Sequence, residues 1–249
     1  MSKSIAVCGA GPGLGQAVAR RYADDEYEIV LVARRREPLE RLAAELTAAR
    51  AAAHVVVADL SDPDDIPALG DQIRAKVGDL DTLYYGPTPG SARRPAHGGL
   101  LFPGELTPPD VAAFMPLALY SLIALVGQFL PAMIERGEGA ILAAAGASAM
   151  HGMPPFAAPG PALAAQRNYL QSLGAELTDT GVYVGRLYIA APIKGSAWHT
   201  RMQTDMQAGG PAQVQRPAAD PANLAELLWT MHHTRKQPET LYPQNAAAL

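Results

Sequence analysis

Along this chain, short unbroken apolar runs alternate with segments whose apolar residues recur every three or four positions. The runs SIAVCGA, EIVLVA, AHVVVA, DTLYY, AILAAA and VYVGRLYIA are continuous rather than alternating, which is the pattern of strands buried on both faces of a parallel sheet. Between them, Leu39, Leu42, Ala43 and Leu46 follow Pro38 at helical spacing, and proline suits a first helical turn. In SDPDDIPALGDQIRAKVG, Asp62 stands at an N-cap and Pro63 at the first helical position, with Ile66, Leu69, Ile73 and Val77 on one face. Asp220-Pro221 repeats that start ahead of Leu224, Leu227, Leu228 and Met231. Strand and helix alternating at this density predict βαβ units. The expected fold is therefore α/β, a single-domain Rossmann fold with a doubly wound parallel sheet and helices on both faces. No repeat or linker divides it, so residues 1–249 read as one dinucleotide-binding domain.

Two segments depart from the alternation. Residues 111–134, VAAFMPLALYSLIALVGQFLPAMI, carry no charge, but Pro116 and Pro131 leave only 14 residues between them, and a membrane span needs about 20. A buried or subunit-facing helix is expected instead. Its lack of a polar face predicts a homo-oligomer, dimer or tetramer, in which a neighbouring copy covers the apolar side. Residues 193–219 lack a strong pattern and follow the last strong strand. They are expected to hang over the carboxyl edge of the sheet as a substrate-side lid loop.

Composition narrows the function classes. With 49% hydrophobic and 18% charged residues the chain is ordinary globular protein. A net charge of −4 and a pI near 5.9 argue against a broad nucleic-acid surface and leave a small molecule or a protein as partner. The single cysteine, Cys8, makes no internal disulfide, and the N-terminus shows no basic-then-apolar leader; a reducing, cytoplasmic setting is the expectation.

The most informative stretch is VCGAGPGLGQAVARRY, which closes the first strand and opens a helix. Gly9 permits a tight turn, Gly13 lets backbone N–H groups approach a pyrophosphate, and Gly15 allows close helix packing, with Leu14 at the junction. The helix N-terminus then adds partial positive charge. Nineteen residues beyond Gly15, where an acid would select NAD, stand Arg34, Arg35 and Arg36. An arginine fork holds a 2′-phosphate that a carboxylate would repel, so NADP(H) is favoured over NAD(H). A plainer role, the solvated basic start of the next helix, suits Arg36 better than Arg34.

The G-x-x-x-G-x-G spacing resembles the short-chain dehydrogenase/reductase family, and the resemblance extends along nearly the whole chain. It implies that Asp59 and Leu60 lie on the adenine side. It also implies that Tyr85-Gly86-Pro87-Thr88 replaces an Asn-Asn-Ala-Gly turn, with Gly86 beside the cofactor. The family's reaction uses an asparagine, a serine, a tyrosine and a lysine. Counting back from Pro131 places the asparagine at Ala118; the serine falls on Gly146 or the neighbouring Ala145, the tyrosine on Pro159 and the lysine on Leu163. No tyrosine is followed four residues later by lysine anywhere in the chain. Losing a positioned general acid typically costs about 10² to 10⁴-fold in rate. Losing an oxyanion donor costs about 10² to 10³-fold.

Three substitutes are candidates for proton chemistry: His151 between the serine and tyrosine positions, Tyr188 in the last strong strand, and Lys194 after it. His199 and Tyr85 stand behind them. Their plainer roles are a loop histidine, a core tyrosine, solvated lid residues and a turn residue. Met150, Met153 and Phe156 fit an apolar pocket lining. No metal site is expected. The expected function is an NADP(H)-binding oxidoreductase with a non-standard active site acting on an unknown small molecule. The alternatives are a non-redox cyclase or isomerase on the same scaffold, and an inactive NADP(H)-sensing, partner-binding protein.

Overall fold

The computed structural model describes residues 2–88, 101–154, 156–207 and 217–244, excepting the side chains at 202 and 205–207. Seven parallel strands form one sheet: β1 (Ser4–Cys8), β2 (Glu28–Ala33), β3 (Ala53–Val57), β4 (Thr82–Tyr85), β5 (Gly139–Gly146), β6 (Val182–Ile189) and β7 (Glu239–Tyr242). Their spatial order is β3-β2-β1-β4-β5-β6-β7. The longest pairing runs between β5 and β6, from Gly139 opposite Val182 to Gly146 opposite Ile189.

Helices cover both faces because the strands from β1 to β6 are largely apolar on both sides. One core joins Ala6, Cys8 and Val30 of the sheet to Leu69 of α3 (Ile66–Val77), Leu122 of α5 (Ser121–Arg136) and Leu170 of α6 (Pro159–Glu176). The opposite core joins Ile5, Val7 and Leu31 to Val18 of α1 (Leu14–Ala23), Leu42 of α2 (Arg36–Ala48) and Leu224 of α8 (Pro221–Thr234). The remaining helices are the short α4 (Pro108–Ala112) and α7 (Ala197–Gln207). Asp220 caps α8 by accepting from Ala222 N at 3.0 Å, as its sequence signal predicts.

Four expectations need correction. β7 is a strand that four residues of mixed polarity did not announce; Glu239 at its start faces arginines rather than an apolar helix. Asp62 and Pro63 open a 3₁₀ turn, Pro63–Asp65, and the α-helix begins only at Ile66. Pro116 and Pro131 do not divide the apolar segment: Pro108–Arg136 is one helical stretch of 29 residues, long and apolar enough to cross a membrane, with 39% of its most apolar window buried inside the fold. Pro116 opens a π-helical turn, Pro116–Tyr120, where its missing N–H is not needed. Pro131 lies inside α5, and both it and Gly127, whose helical donor it removes, are exposed. Finally, the segment 193–219, expected to lack a strong pattern, contains α7, while its residues 208–216 lie outside the described residues.

Candidate functional site

The sheet order reverses between β1 and β4, so a crevice opens beyond the carboxyl ends of these two strands. Gly9 and Gly13 bound the loop after β1 with φ of 100° and 97°, values that favour glycine. A Cβ on Gly9 would stand 2.8 Å from the Gly86 carbonyl carbon and from Pro87 N, so the turns after β1 and β4 meet backbone to backbone. A Cβ on Gly15 would overlap the Gly9 carbonyl oxygen and lie 3.0 Å from Ala10 Cα, so α1 starts hard against the loop. Gln16 N and Ala17 N bond back to Gly11 O and Gly13 O. The N–H groups of Gly13, Leu14 and Gly15 have no acceptor among the described residues. Three free donors at a helix start make an anion cradle.

Beyond β2, Arg34 and Arg35 are exposed and carry no ion pair or side-chain hydrogen bond among the described residues. Arg36 instead reaches Glu40 within α2 at 3.6 Å, which is the helix-start role. Arg35 also lines a hollow of about 340 Å³ between α1 and α2 together with Pro12, Gln16, Arg20 and Arg41. There Arg20 is tied to Glu45 at 2.6 and 3.0 Å, and Arg41 to Glu37 at 2.7 Å. Of the sequence-derived cofactor set, Asp59 is held at the end of β3 by Ser61 N at 3.0 Å, while the Leu60 side chain is buried in the core.

At the other end of the crevice, Ala118 sits in the π-helical turn, where the carbonyls of Leu117 and Ala118 leave the regular helical ladder. Tyr85 Oη donates to Leu117 O, and Gln166 Nε2 donates to Ala118 O. A Cβ on Gly146, at the end of β5, would lie 3.6 Å from Ser148 Oγ and 3.8 Å from Leu163 Cδ1. Leu163 also packs with Leu101, Phe114, Ala118, Ala158 and Ala162, and Pro159 opens the same helix one turn earlier. The positions given by resemblance thus gather in one place, and the side chains there are apolar or missing.

The three proton-transfer candidates do not gather. His151 is exposed on the turn after β5, its N–H donating to Ala147 O at 3.2 Å. Tyr188 is 1% exposed within β6, under the Arg167 guanidinium at 5.9 Å from its ring, and burial pushes its hydroxyl pKa upward. Lys194 is exposed and lies 3.9 Å from the Asp220 carboxylate. Tyr85 is buried and His199 half-buried on α7. Cys8 is no nucleophile either, since complete burial pushes its thiol up to about 12. Among the described residues no group of His, Cys, Asp and Glu is disposed to hold a metal.

Gln166, Ser196 and Trp198 escaped the sequence reading. Gln166 had a signal, as the one polar member of the buried face Ala162, Gln166, Leu170, Leu173. Ser196 had another: a serine three residues before His199, whose N–H it accepts at 3.1 Å.

The sequence profile described as short chain dehydrogenase matches residues 3–205. A fatty acyl-CoA reductase of Mycobacterium tuberculosis is 28% identical over 248 residues, covering 99% of this chain and 78% of that protein. An uncharacterized oxidoreductase of Mycobacterium bovis is 29% identical over 191 residues, 76% of this chain but 54% of the relative's length. Among solved structures, the L-sorbose reductase of Gluconobacter frateurii, complexed with NADPH and L-sorbose, superposes with a TM-score of 0.76 at 21% identity, covering 97% of this chain and 94% of that one.

Proposed function

This chain belongs to the short chain dehydrogenase family, a family of oxidoreductases, and from that premise we propose that it binds NADP(H) and interconverts a small carbonyl compound and its alcohol. One observation carries the cofactor choice: three N–H groups at the start of α1 and the two exposed arginines Arg34 and Arg35 beyond β2 have no partner among the described residues, and Arg35 shares a hollow with Pro12 and Gln16 of the α1 side. When bound, the reduced nicotinamide would deliver a hydride to the carbonyl carbon. The chain's own part is to bind and orient. Gly13, Leu14 and Gly15 would hold the pyrophosphate through their N–H groups, and Arg34 and Arg35 the 2′-phosphate. Asp59 would flank the adenine, with Leu60, its side chain in the core, reaching it only through its backbone, and Gly86 would let the β4 turn approach the cofactor. His151, open to solvent beside the Gly146 end of β5, is the proton carrier assigned to the carbonyl oxygen; Tyr188 is too enclosed for it, and Lys194 is engaged by Asp220. The relatives' printed names, reductases and oxidoreductases, support the same direction.

A second reading, NADP(H) binding without turnover, is favoured by the apolar lining at Ala118, Gly146, Pro159 and Leu163 and by the capture of the Ala118 carbonyl by Gln166. Following NADPH absorbance against a panel of aldehydes and ketones separates the two. Consumption that falls at least tenfold in His151→Ala supports the enzyme. Binding without consumption supports the second reading, and product formation without consumption supports a non-redox cyclase or isomerase. The chain is further assigned as one domain; of the segment expected as a lid, residues 208–216 lie outside the described residues, and the lid role is assigned to α7 alone. It is also assigned as a homo-oligomer in which a second copy covers the exposed Tyr120, Ile123 and Ile134 of the α5 region; light scattering at the monomer mass would refute this.

A further inference from the structure

The outer wall of the crevice is aromatic. α7 starts directly after Ser196, whose Cβ lies 3.2 Å from the point where a Gly13 side chain would begin. Two residues further, the Trp198 ring lies 6.3 Å from the Phe156 ring, tilted by 51°. Phe156 bridges by its backbone to Leu101, and Leu101 packs with Phe114, Ala118 and Ala162. α7 therefore reaches from the phosphate loop to the apolar cluster that contains Ala118 and Leu163, and Trp198 with Phe156 closes the interval. The start of this arm is anchored rather than loose, because Lys194 N donates to Ala219 O at 3.0 Å and Ala219 N to Pro192 O at 2.7 Å.

The adjoining walls are uncharged. Residues 111–134 carry no ionisable charge, and along 139–165 the only titratable side chain is His151, which is exposed. A carboxylate or phosphate enclosed between such walls would lose its hydration without gaining a partner. We infer that the substrate is a neutral carbonyl compound with an apolar body, and that Trp198 and Phe156 select it by packing on that body. This rests on the oxidoreductase assignment for the reaction, but not for the binding. The competing class is a small anionic oxo-acid, served by the basic side chains that follow Trp198 on α7, His199 and Arg201.

Tryptophan emission tests this without turnover. The chain has two tryptophans; Trp229 lies under the Arg21 guanidinium at 3.9 Å, against α1. In full-length Trp229→Phe protein, Trp198 is the only indole and reports its own surroundings. Titration with straight-chain methyl ketones of increasing length should change its emission saturably, with affinity rising roughly fourfold per added methylene. An oxo-acid of matched length should bind at least tenfold more weakly. In a competition assay with the longest ketone, Trp198→Ala should lose at least tenfold in affinity and Trp198→Phe less, with NADPH affinity unchanged in both; Trp198→Phe keeps the test decisive if the alanine variant unfolds. Flat chain-length dependence, tighter binding of the oxo-acid, or unaltered ketone affinity in a folded Trp198 variant overturns the inference. If ketones follow the series while NADPH fails to bind, the cofactor assignment falls and this one stands. If NADPH binds and the ketones show no trend, the reverse holds.

Discussion

Replacing Gly15 by alanine tests the architecture of the phosphate loop. Its Cβ would meet the Gly9 carbonyl carbon at 2.9 Å and Ala10 Cα at 3.0 Å, besides overlapping the Gly9 oxygen. Carbon atoms in ordinary contact stand about 3.5–4.0 Å apart, so two backbone atoms must each retreat by about 0.5–1 Å. They have little freedom to do so. Gly9 N and Ala10 N both bond to Val32 O, at 2.9 and 3.1 Å, and Gly11 N bonds to Gly9 O at 2.7 Å. Overpacking of this kind costs about 1–3 kcal/mol, and the pinned backbone places Gly15→Ala near about 3 kcal/mol. For a chain of this size that lowers Tm by about 6–12 °C. The internal control is Gly11→Ala, four positions away, where an added Cβ meets nothing within 4 Å; its change in stability should stay within about 0.5 kcal/mol. Thermal melts of both variants, paired with NADPH titrations, provide the assay. Equal melting temperatures and equal NADPH affinity for Gly15→Ala and wild type would refute the claim that α1 is seated by contact with the Gly9 turn.

Other consequences follow from groups away from the crevice. His232 is 7% exposed and hydrogen-bonded to Tyr22 Oη at 2.9 Å; burial lowers its pKa from 6.5 to about 3, so it is neutral in the fold. Below its unfolded pKa only the unfolded chain takes the proton, so stability present at neutral pH is lost as pH falls from 6.5 toward 3, at up to about 1.4 kcal/mol per pH unit. Urea denaturation at neutral and mildly acid pH should show a shallower loss in His232→Gln; identical slopes would count against the neutral buried imidazole. Glu239 accepts from Arg167 at 2.6 Å and from Arg186 at 3.2 Å, and the Arg186 side chain is only 7% exposed. Glu239→Gln strands that buried cation and should cost about 3–5 kcal/mol in denaturant unfolding, whereas a loss under 1 kcal/mol would mark the pair as solvent-screened. Gly146→Ser should leave Tm within about 2 °C, since its Cβ would meet only ordinary contacts at 3.6 and 3.8 Å; a large drop would mean the β5 end lacks room for a side chain.

The doubly wound sheet was legible because its strands are unbroken apolar runs, and a run such as EIVLVA fits only a strand covered on both faces. β7 was not, because a terminal strand of four residues takes its place from partners remote in sequence, Arg167 and Arg186 among them. The prolines misled for a physical reason. Pro116 stands where the helix widens into a π turn, and Pro131 lies on a water-facing side, so neither strands a buried donor or carbonyl. In the site, glycine spacing disclosed the tight loop between β1 and α1, since backbone conformation there depends on having no side chain. The gathering of Ala118, Gly146 and Leu163 followed from the family resemblance and not from their own chemistry. Tyr188 shows the opposite limit: residue type fitted proton transfer, but its burial depends on α6 and β7 packing over β6, which no local pattern encodes.

Calorimetric titration with NADPH and with NADH, on the wild type and on Arg34→Ala and Arg35→Ala, bears most directly on the central claim that the exposed arginine pair and the α1 cradle hold a 2′-phosphorylated dinucleotide. NADPH should bind more tightly than NADH. At least one arginine variant should lose about 10- to 100-fold in NADPH affinity, the worth of a charge-assisted hydrogen bond, while NADH affinity stays level. Equal affinity for the two nucleotides, or no response of NADPH binding to either substitution, would contradict it.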